Sequence, residues 1–231
     1  MNTITIIPAF NEERTIREVI TRCKEVNTYP LVVNDGSTDN TMQIVWDARV
    51  EIICSDENRG KGEALRLAFN HLRFRGFRGF EYIVIIDADL QFNPYEIPKL
   101  VEALKDVDYV IGQRDWNQVP FRHRLGNYVW RKIFNSLYQT ELEDTNCGFV
   151  AMRREVMLRL KVHSGYIVDN DMLIQVIKMG YKVKNVPVSV RYNHKRGLSG
   201  IRMVIGILIF IIVKRIGDFI PKEKIISGGD C

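Results

Sequence analysis

Ile83-Val84-Ile85-Ile86-Asp87-Ala88-Asp89-Leu90-Gln91 is a short apolar run that stops on two carboxylates one residue apart. Such a run reads as a buried strand. Past the end of a strand, two Asp side chains can converge on one hard divalent cation. Mg²⁺ or Mn²⁺ is commonly held by one or two carboxylates together with phosphate oxygens of a substrate. Read that way, the chemistry is transfer from a nucleotide-diphosphate donor. An Asp-x-Asp alone has little specificity, because such pairs also occur in solvated turns, so the reading depends on its surroundings.

Three other segments share the architecture of an apolar strand ending in polar residues. Ile4-Thr5-Ile6-Ile7 runs into Pro8-Ala9-Phe10-Asn11-Glu12, and Leu31-Val32-Val33 runs into Asn34-Asp35-Gly36-Ser37-Thr38-Asp39. Glu51-Ile52-Ile53 is followed by Asn58-Arg59-Gly60-Lys61-Gly62. In an open α/β sheet ligands bind beyond the carboxyl ends of the strands, so the four polar tips are expected to face one crevice. These motifs in this order resemble the family 2 glycosyltransferases of GT-A fold. Further along, Gly112-Gln113-Arg114, Asp144-Thr145-Asn146-Cys147-Gly148-Phe149, Asn185-Val186-Pro187-Val188 and Arg196-Gly197-Leu198-Ser199 narrow the resemblance to the polyprenyl-phosphate (dolichyl-phosphate) hexosyltransferases. It spans about residues 3 to 202. Asn34 stands where an Asp is common, Cys147-Gly148 where Ser-Gly is common, and Asp171 where Glu is usual.

The resemblance implies an inverting, metal-dependent transfer of a hexose from a nucleotide sugar, GDP-mannose or UDP-glucose, to a polyprenyl or dolichyl phosphate. Asp87, Asp89 and Gln91 are the expected ligands of Mg²⁺ or Mn²⁺ on the donor diphosphate. Pro8, Phe10, Glu12, Asp35, Lys61, Asp87, Ala88, Asp89 and Gln91 form the expected nucleotide-sugar site. Helix capping is the alternative for Glu12 and Asp35, and a solvated Lys that for Lys61, although flanking glycines let backbone approach phosphate closely. Asp39, followed by Asn40-Thr41, is read as a cap. An acceptor phosphate is already anionic near neutral pH and needs no general base, so the task is positioning. Arg114, Arg131, Arg196 and Ser199 are the expected acceptor-phosphate residues, because a guanidinium grips phosphate bidentately and keeps its charge. With Asp89, Arg114 and Arg196 make the expected catalytic set; the alternative for each Arg is a place on the solvated surface. A saccharide hydroxyl as acceptor would instead need a carboxylate base, Asp171 or Asp144. A non-catalytic nucleotide-binding module is the third reading, which the intact Asp87-Ala88-Asp89 disfavours.

Length and composition agree with an α/β fold having a mostly parallel central sheet flanked by helices. At 231 residues, 46% hydrophobic and 26% charged, the chain can build one large core. Ile16, Val19, Ile20 and Cys23 fall at helical spacing, as do Ala64, Leu65, Ala68 and Leu72, and Ile97, Leu100, Val101 and Leu104. Asn93-Pro94 is a start signal for the third of these, and Gly180 a stop signal for a helix through Leu173, Val176 and Ile177. A helix over 122–138 and a strand over 147–152 are also expected. Cys23, Cys54, Cys147 and Cys231 lack metal spacing, and the first strand begins within a few residues of Met1. No leader is therefore expected, and the protein reads as reduced and cytoplasmic. A net charge of +5 with no basic tail argues against a nucleic-acid partner.

The clearest shift in composition is Met203-Val204-Ile205-Gly206-Ile207-Leu208-Ile209-Phe210-Ile211-Ile212-Val213, flanked by Arg202 and Lys214-Arg215. It falls short of the ~20 residues a spanning helix needs. Extending it to Ile220 would bury Lys214, Arg215 and Asp218 at high cost. A helix lying on the membrane is expected, its basic flanks facing anionic headgroups on the cytoplasmic face, with a buried core or dimer helix as the alternative. The expected organisation is a catalytic domain over 1–200, a membrane-associated helix over 201–220 and a tail over 221–231. The expected partners are the sugar donor, the lipid acceptor and a membrane surface, with a membrane-protein partner or homo-oligomer left open.

Overall fold

The computed structural model describes residues 2–74, 79–115, 121–162 and 168–191, with 121–126 described by backbone alone. Arg196, Ser199, the 201–220 segment and the 221–231 tail lie outside the described residues. The strands are β1 (Thr3–Ala9), β2 (Tyr29–Asp35), β3 (Glu51–Ser55), β4 (Tyr82–Ile85), β5 (Tyr109–Arg114), β6 (Val150–Arg153) and β7 (Val183–Val188). The helices are α1 (Ile16–Glu25), α2 (Thr41–Asp47), α3 (Lys61–Phe74), α4 (Ile97–Ala103), α5 (Phe121–Tyr138), α6 (Arg154–Arg159) and α7 (Val168–Lys178).

All seven strands form one sheet in the order β3-β2-β1-β4-β6-β5-β7. Ile6, Ile7, Leu31, Val32, Val33, Val84 and Ile85 are all buried, the near-continuous apolar pattern of strands covered on both faces. From β1 through α1 to β2 and through α2 to β3 the chain steps one way along the sheet. Helix α3 then carries it back past β2 and β1 to β4. Because parallel crossovers are right-handed, that reversal puts α3 on the opposite face from α1 and α2. The helical periodicities match burial: Ile16, Val19, Ile20 and Cys23 are the buried residues of α1, and Ala64, Leu65, Ala68 and Leu72 lie on the buried side of α3. Asn93 does start a helical segment, but a separate one. Its side chain accepts from the Tyr95 N–H to cap a 3-10 turn over Pro94–Glu96, and α4 follows. Gly180, with φ +79°, stops the chain after α7.

Strand β6 runs antiparallel to both neighbours, β4 and β5. Residues 144–149, which lead into it, therefore lie at the same edge of the sheet as the carboxyl ends of β1, β2 and β4. The strand expected from residue 147 accordingly begins at Val150, because the residues before it cross that edge. Among the described residues, no helix is long and apolar enough to cross a membrane.

One loop crossing at this edge is sterically closed. Gly36 has φ +70°, and a Cβ there would lie 2.5 Å from the Glu57 carbonyl carbon and 2.7 Å from the Asn58 nitrogen. Those are backbone atoms with nowhere to go. Gly36→Ala is expected to cost about 3 kcal/mol from strain and overpacking. Thermal unfolding should show a fall in Tm of roughly 6–12 °C; an unchanged Tm would mean that the two loops separate freely.

Candidate active site

The carboxyl edge of β1, β2 and β4 holds a cavity of about 230 Å³ lined by Pro8, Ala9, Phe10, Glu12, Asp35, Lys61, Ala64, Asp87, Ala88 and Asp89. Of the expected nucleotide-sugar residues, only Gln91 is not part of that lining. The loop after β1 turns at Asn11, whose φ of +53° is tolerated by an Asn. It is then stitched to the loop after β2. The Asn11 N–H donates to Ser37 Oγ at 3.0 Å, the Thr38 N–H to Asn11 Oδ1 at 2.8 Å, and the Glu12 N–H to Thr41 Oγ1 at 2.8 Å. Asp39 Oδ1 accepts from the Thr41 N–H at 2.9 Å, a turn bond from the residue before the N-cap of α2, which is Asn40 and not Asp39. Asn34 Oδ1 accepts from the Ser37 N–H at 3.2 Å, so the Asn found where an Asp is common shapes this turn.

Asp35 is buried at the carboxyl end of β2. Its two oxygens accept from the Arg59 N–H at 3.0 Å and the Gly60 N–H at 2.7 Å. Gly60 in turn accepts the first bonds of α3. Asp35 thus fixes the loop that leads into α3. Phe10, 40% exposed, stands at the lip of the cavity.

Beyond β4 the chain turns through Leu90 at φ +58°, and the Gln91 N–H donates to Asp89 Oδ1 at 3.0 Å. The Gln91 carbonyl accepts from the Arg191 N–H at 2.8 Å. Asp87 meets a cation belonging to the protein itself. Lys61 Nζ lies 2.9 Å from Asp87 Oδ1 and 3.1 Å from Asp169 Oδ2. Burial alone would lower the Lys61 pKa, but the charges of Asp169 and Asp87, and hydrogen bonds to both, outweigh it and hold the ammonium above the usual lysine range. Gly148 closes the group: a Cβ there would lie 2.6 Å from Asp87 Oδ2 and 2.9 Å from Lys61 Nζ.

Asp169 was not singled out in the sequence. The available signal was the run Val168-Asp169-Asn170-Asp171, which opens a helix with three polar residues, all of them buried or half-buried. The residue read there for the acceptor side, Asp171, accepts from Gln175 Nε2 at 2.9 Å along its own helix. Arg114, read as a phosphate clamp, forms a bidentate pair with the buried Asp144, Nε to Oδ2 at 2.7 Å and Nη2 to Oδ1 at 3.0 Å. It also donates to the Asn146 carbonyl at 3.1 Å, so it pins the loop entering β6 to the end of β5. Arg131 pairs with Glu143.

The sheet order, with the acid-lined cavity at its carboxyl edge, is that of the GT-A fold. The crystal structure of glucosyl-3-phosphoglycerate synthase from Mycobacterium tuberculosis, in complex with Mn²⁺, UDP and glucosyl-3-phosphoglycerate, superposes with a TM-score of 0.75. The two are 22% identical, over 93% of this chain and 80% of that one. The model of the glycosyl transferase family 2 matches residues 4–160, and the chain belongs to that family of glycosyltransferases. An uncharacterized protein of Methanocaldococcus jannaschii is 33% identical over 82% of this chain and 88% of its own length. The undecaprenyl-phosphate mannosyltransferase of Micrococcus luteus is 27% identical over 82% of this chain and 83% of its own.

Proposed function

We propose that this glycosyltransferase moves a hexose from a nucleotide sugar to a polyprenyl phosphate, with inversion at the anomeric carbon. The observation that carries the proposal is the cavity gathering Phe10, Glu12, Asp35, Asp87 and Asp89 at one edge of the sheet. Phe10 offers a face for the base, and Glu12 and Asp35 offer acceptors for base or ribose. Asp87 and Asp89 supply hard oxygen ligands, and a cation, the Lys61 ammonium, already rests against Asp87, so the pair fits Mg²⁺ or Mn²⁺. When bound, the ion would offset the charge developing on the departing nucleoside diphosphate. One acceptor phosphate oxygen bonds to the anomeric carbon as the bond from that carbon to the diphosphate breaks.

The lipid-phosphate reading is favoured over a saccharide hydroxyl by the state of the carboxylates. Asp144 is bound bidentately by Arg114, Asp171 accepts from Gln175, and Asp169 pairs with Lys61. A phosphate acceptor needs none of them as a base. Because Arg114 and Arg131 are engaged by acids, the acceptor clamp falls to Arg196 and Ser199. The mannosyl lipid-phosphate activity named for the Micrococcus relative supports this acceptor, and the UDP of the Mycobacterium structure leaves the donor base open between GDP and UDP. Radiolabelled GDP-mannose and UDP-glucose, each offered with a short polyprenyl phosphate or with free saccharides, test the proposal. Label should enter the lipid phase from one donor; transfer to saccharide alone would overturn it.

Asp35→Ala should weaken donor binding by about 1–3 kcal/mol, through the lost contact and the Arg59 N–H left without the Asp35 carboxylate, while the Gly60 N–H keeps Asn58 Oδ1 at 3.1 Å. Kinetics should show a donor KM raised about five- to 150-fold with the acceptor KM little changed; equal effects on both would move Asp35 out of the donor site. Attachment to the cytoplasmic face of a membrane through residues 201–220 belongs to the same proposal. The protein should pellet with anionic vesicles and be partly released by salt, which screens headgroup attraction. Sedimentation unchanged by deleting residues 203–231 would remove that part.

A further inference from the structure

Two carboxylates from elements distant in sequence converge on the ammonium of Lys61, the first residue of α3: Asp87 just past β4, and Asp169 in the first turn of α7. The placement is locally unfavourable. The start of a helix carries partial positive charge, so a lysine there is held by something outside the helix. Such disagreement between a local rule and the fold is expected at functional positions. Gly148 backs directly onto the group, and the second oxygen of Asp169, Oδ1, is buried with no hydrogen-bond partner among the described residues. Lys61 holds the carboxylate through Oδ2.

We propose that Lys61 is a built-in competitor of the divalent cation. In the donor-free protein it neutralises Asp87 from within, and the metal binds by taking Asp87 over while Lys61 stays on Asp169. This rests on the reading of Asp87 and Asp89 as the metal ligands. It makes cation affinity low in the empty enzyme and raises it when a donor diphosphate adds ligands to the ion. Asp169 sets the balance by giving Lys61 a second partner to retain.

The test is Mn²⁺ binding to the nucleotide-free protein, read from the electron paramagnetic resonance signal of the hydrated ion, which is lost on binding. Lys61→Met should tighten the dissociation constant at least about tenfold, whereas Arg59→Met, which removes a nearby positive charge paired to Glu57 at 3.1 Å, should change it less than about twofold. Lys61→Met leaves Asp169 uncompensated and can fail to fold. The double variant Lys61→Met/Asp169→Asn carries no such buried charge, and it should bind Mn²⁺ at least about tenfold more tightly than Asp169→Asn alone. Wild-type binding with an unchanged or weaker constant in Lys61→Met, or an equal gain in Arg59→Met, overturns the inference and leaves the metal reading standing. Absence of Mn²⁺ binding in the wild-type protein and the double variant together overturns both.

Discussion

Asp89→Ala is expected to reduce hexose transfer by at least about a hundredfold, the scale seen when one preorganised group stabilising developing charge is removed. The residue lies in the cavity lining just past β4, and one of its oxygens accepts from the Gln91 N–H. Losing that bond should cost only about 1 kcal/mol of stability, because the side chain is half-buried and water can reach the site. The prediction is therefore a dissociation: circular dichroism and Tm close to wild type, with label transfer to polyprenyl phosphate near background. Full activity in this variant, or in excess chelator, would remove Asp89 and the cation from the reaction.

Gly148→Ala should show the same dissociation by a different route. The added Cβ meets Asp87 Oδ2 at 2.6 Å and Lys61 Nζ at 2.9 Å, and both are free ends of side chains rather than backbone. The clash is relieved by displacing Asp87 and Lys61, so the fold survives while the carboxylate leaves its position. A misplacement of about 1 Å at a reacting centre can cost about a hundredfold in rate. Turnover should fall by one to two decades, with a change in Tm of no more than roughly 4 °C, equivalent to about 1 kcal/mol in a domain of this size. Gly36→Ala, whose clash is with backbone, should do the opposite and lose stability first. If Gly148→Ala kept wild-type turnover, the tight group around Asp87 would have no part in transfer.

The fold was largely legible because its signals are local. The spacing of Ile16, Val19, Ile20 and Cys23 specifies one apolar helix face wherever the helix goes, and that face is buried as expected. Likewise the apolar runs ending at Ile7, Val33 and Ile86 specify strands with polar tips, and a parallel arrangement brings those tips to one edge. Most of the cavity lining followed from this, since Pro8 to Glu12, Asp35 and Asp87 to Asp89 each sit at or just past the carboxyl end of a strand.

The partners of the charged groups were not legible. Asp169 and Asp171 are two residues apart on α7 and so point roughly 200° apart. The rotation of the helix decides which carboxylate reaches Lys61, and the packing of Val168, Met172 and Leu173 in the core sets that rotation. Arg114 was assigned to a substrate phosphate because a guanidinium after a strand advertises only its charge; its pairing with Asp144 depends on where the loop before β6 lies.

By itself, then, the sequence determined the alternation of strands and helices, the polar tips and the family, because hydrophobic periodicity and motif order act over a few residues. Only the tertiary structure decided that β6 runs backwards, that Gly148 therefore abuts Asp87, and that Lys61 finds Asp169 across 108 residues of chain. Contacts of that kind arise from the shared packing of several elements against one core, and no local pattern encodes them.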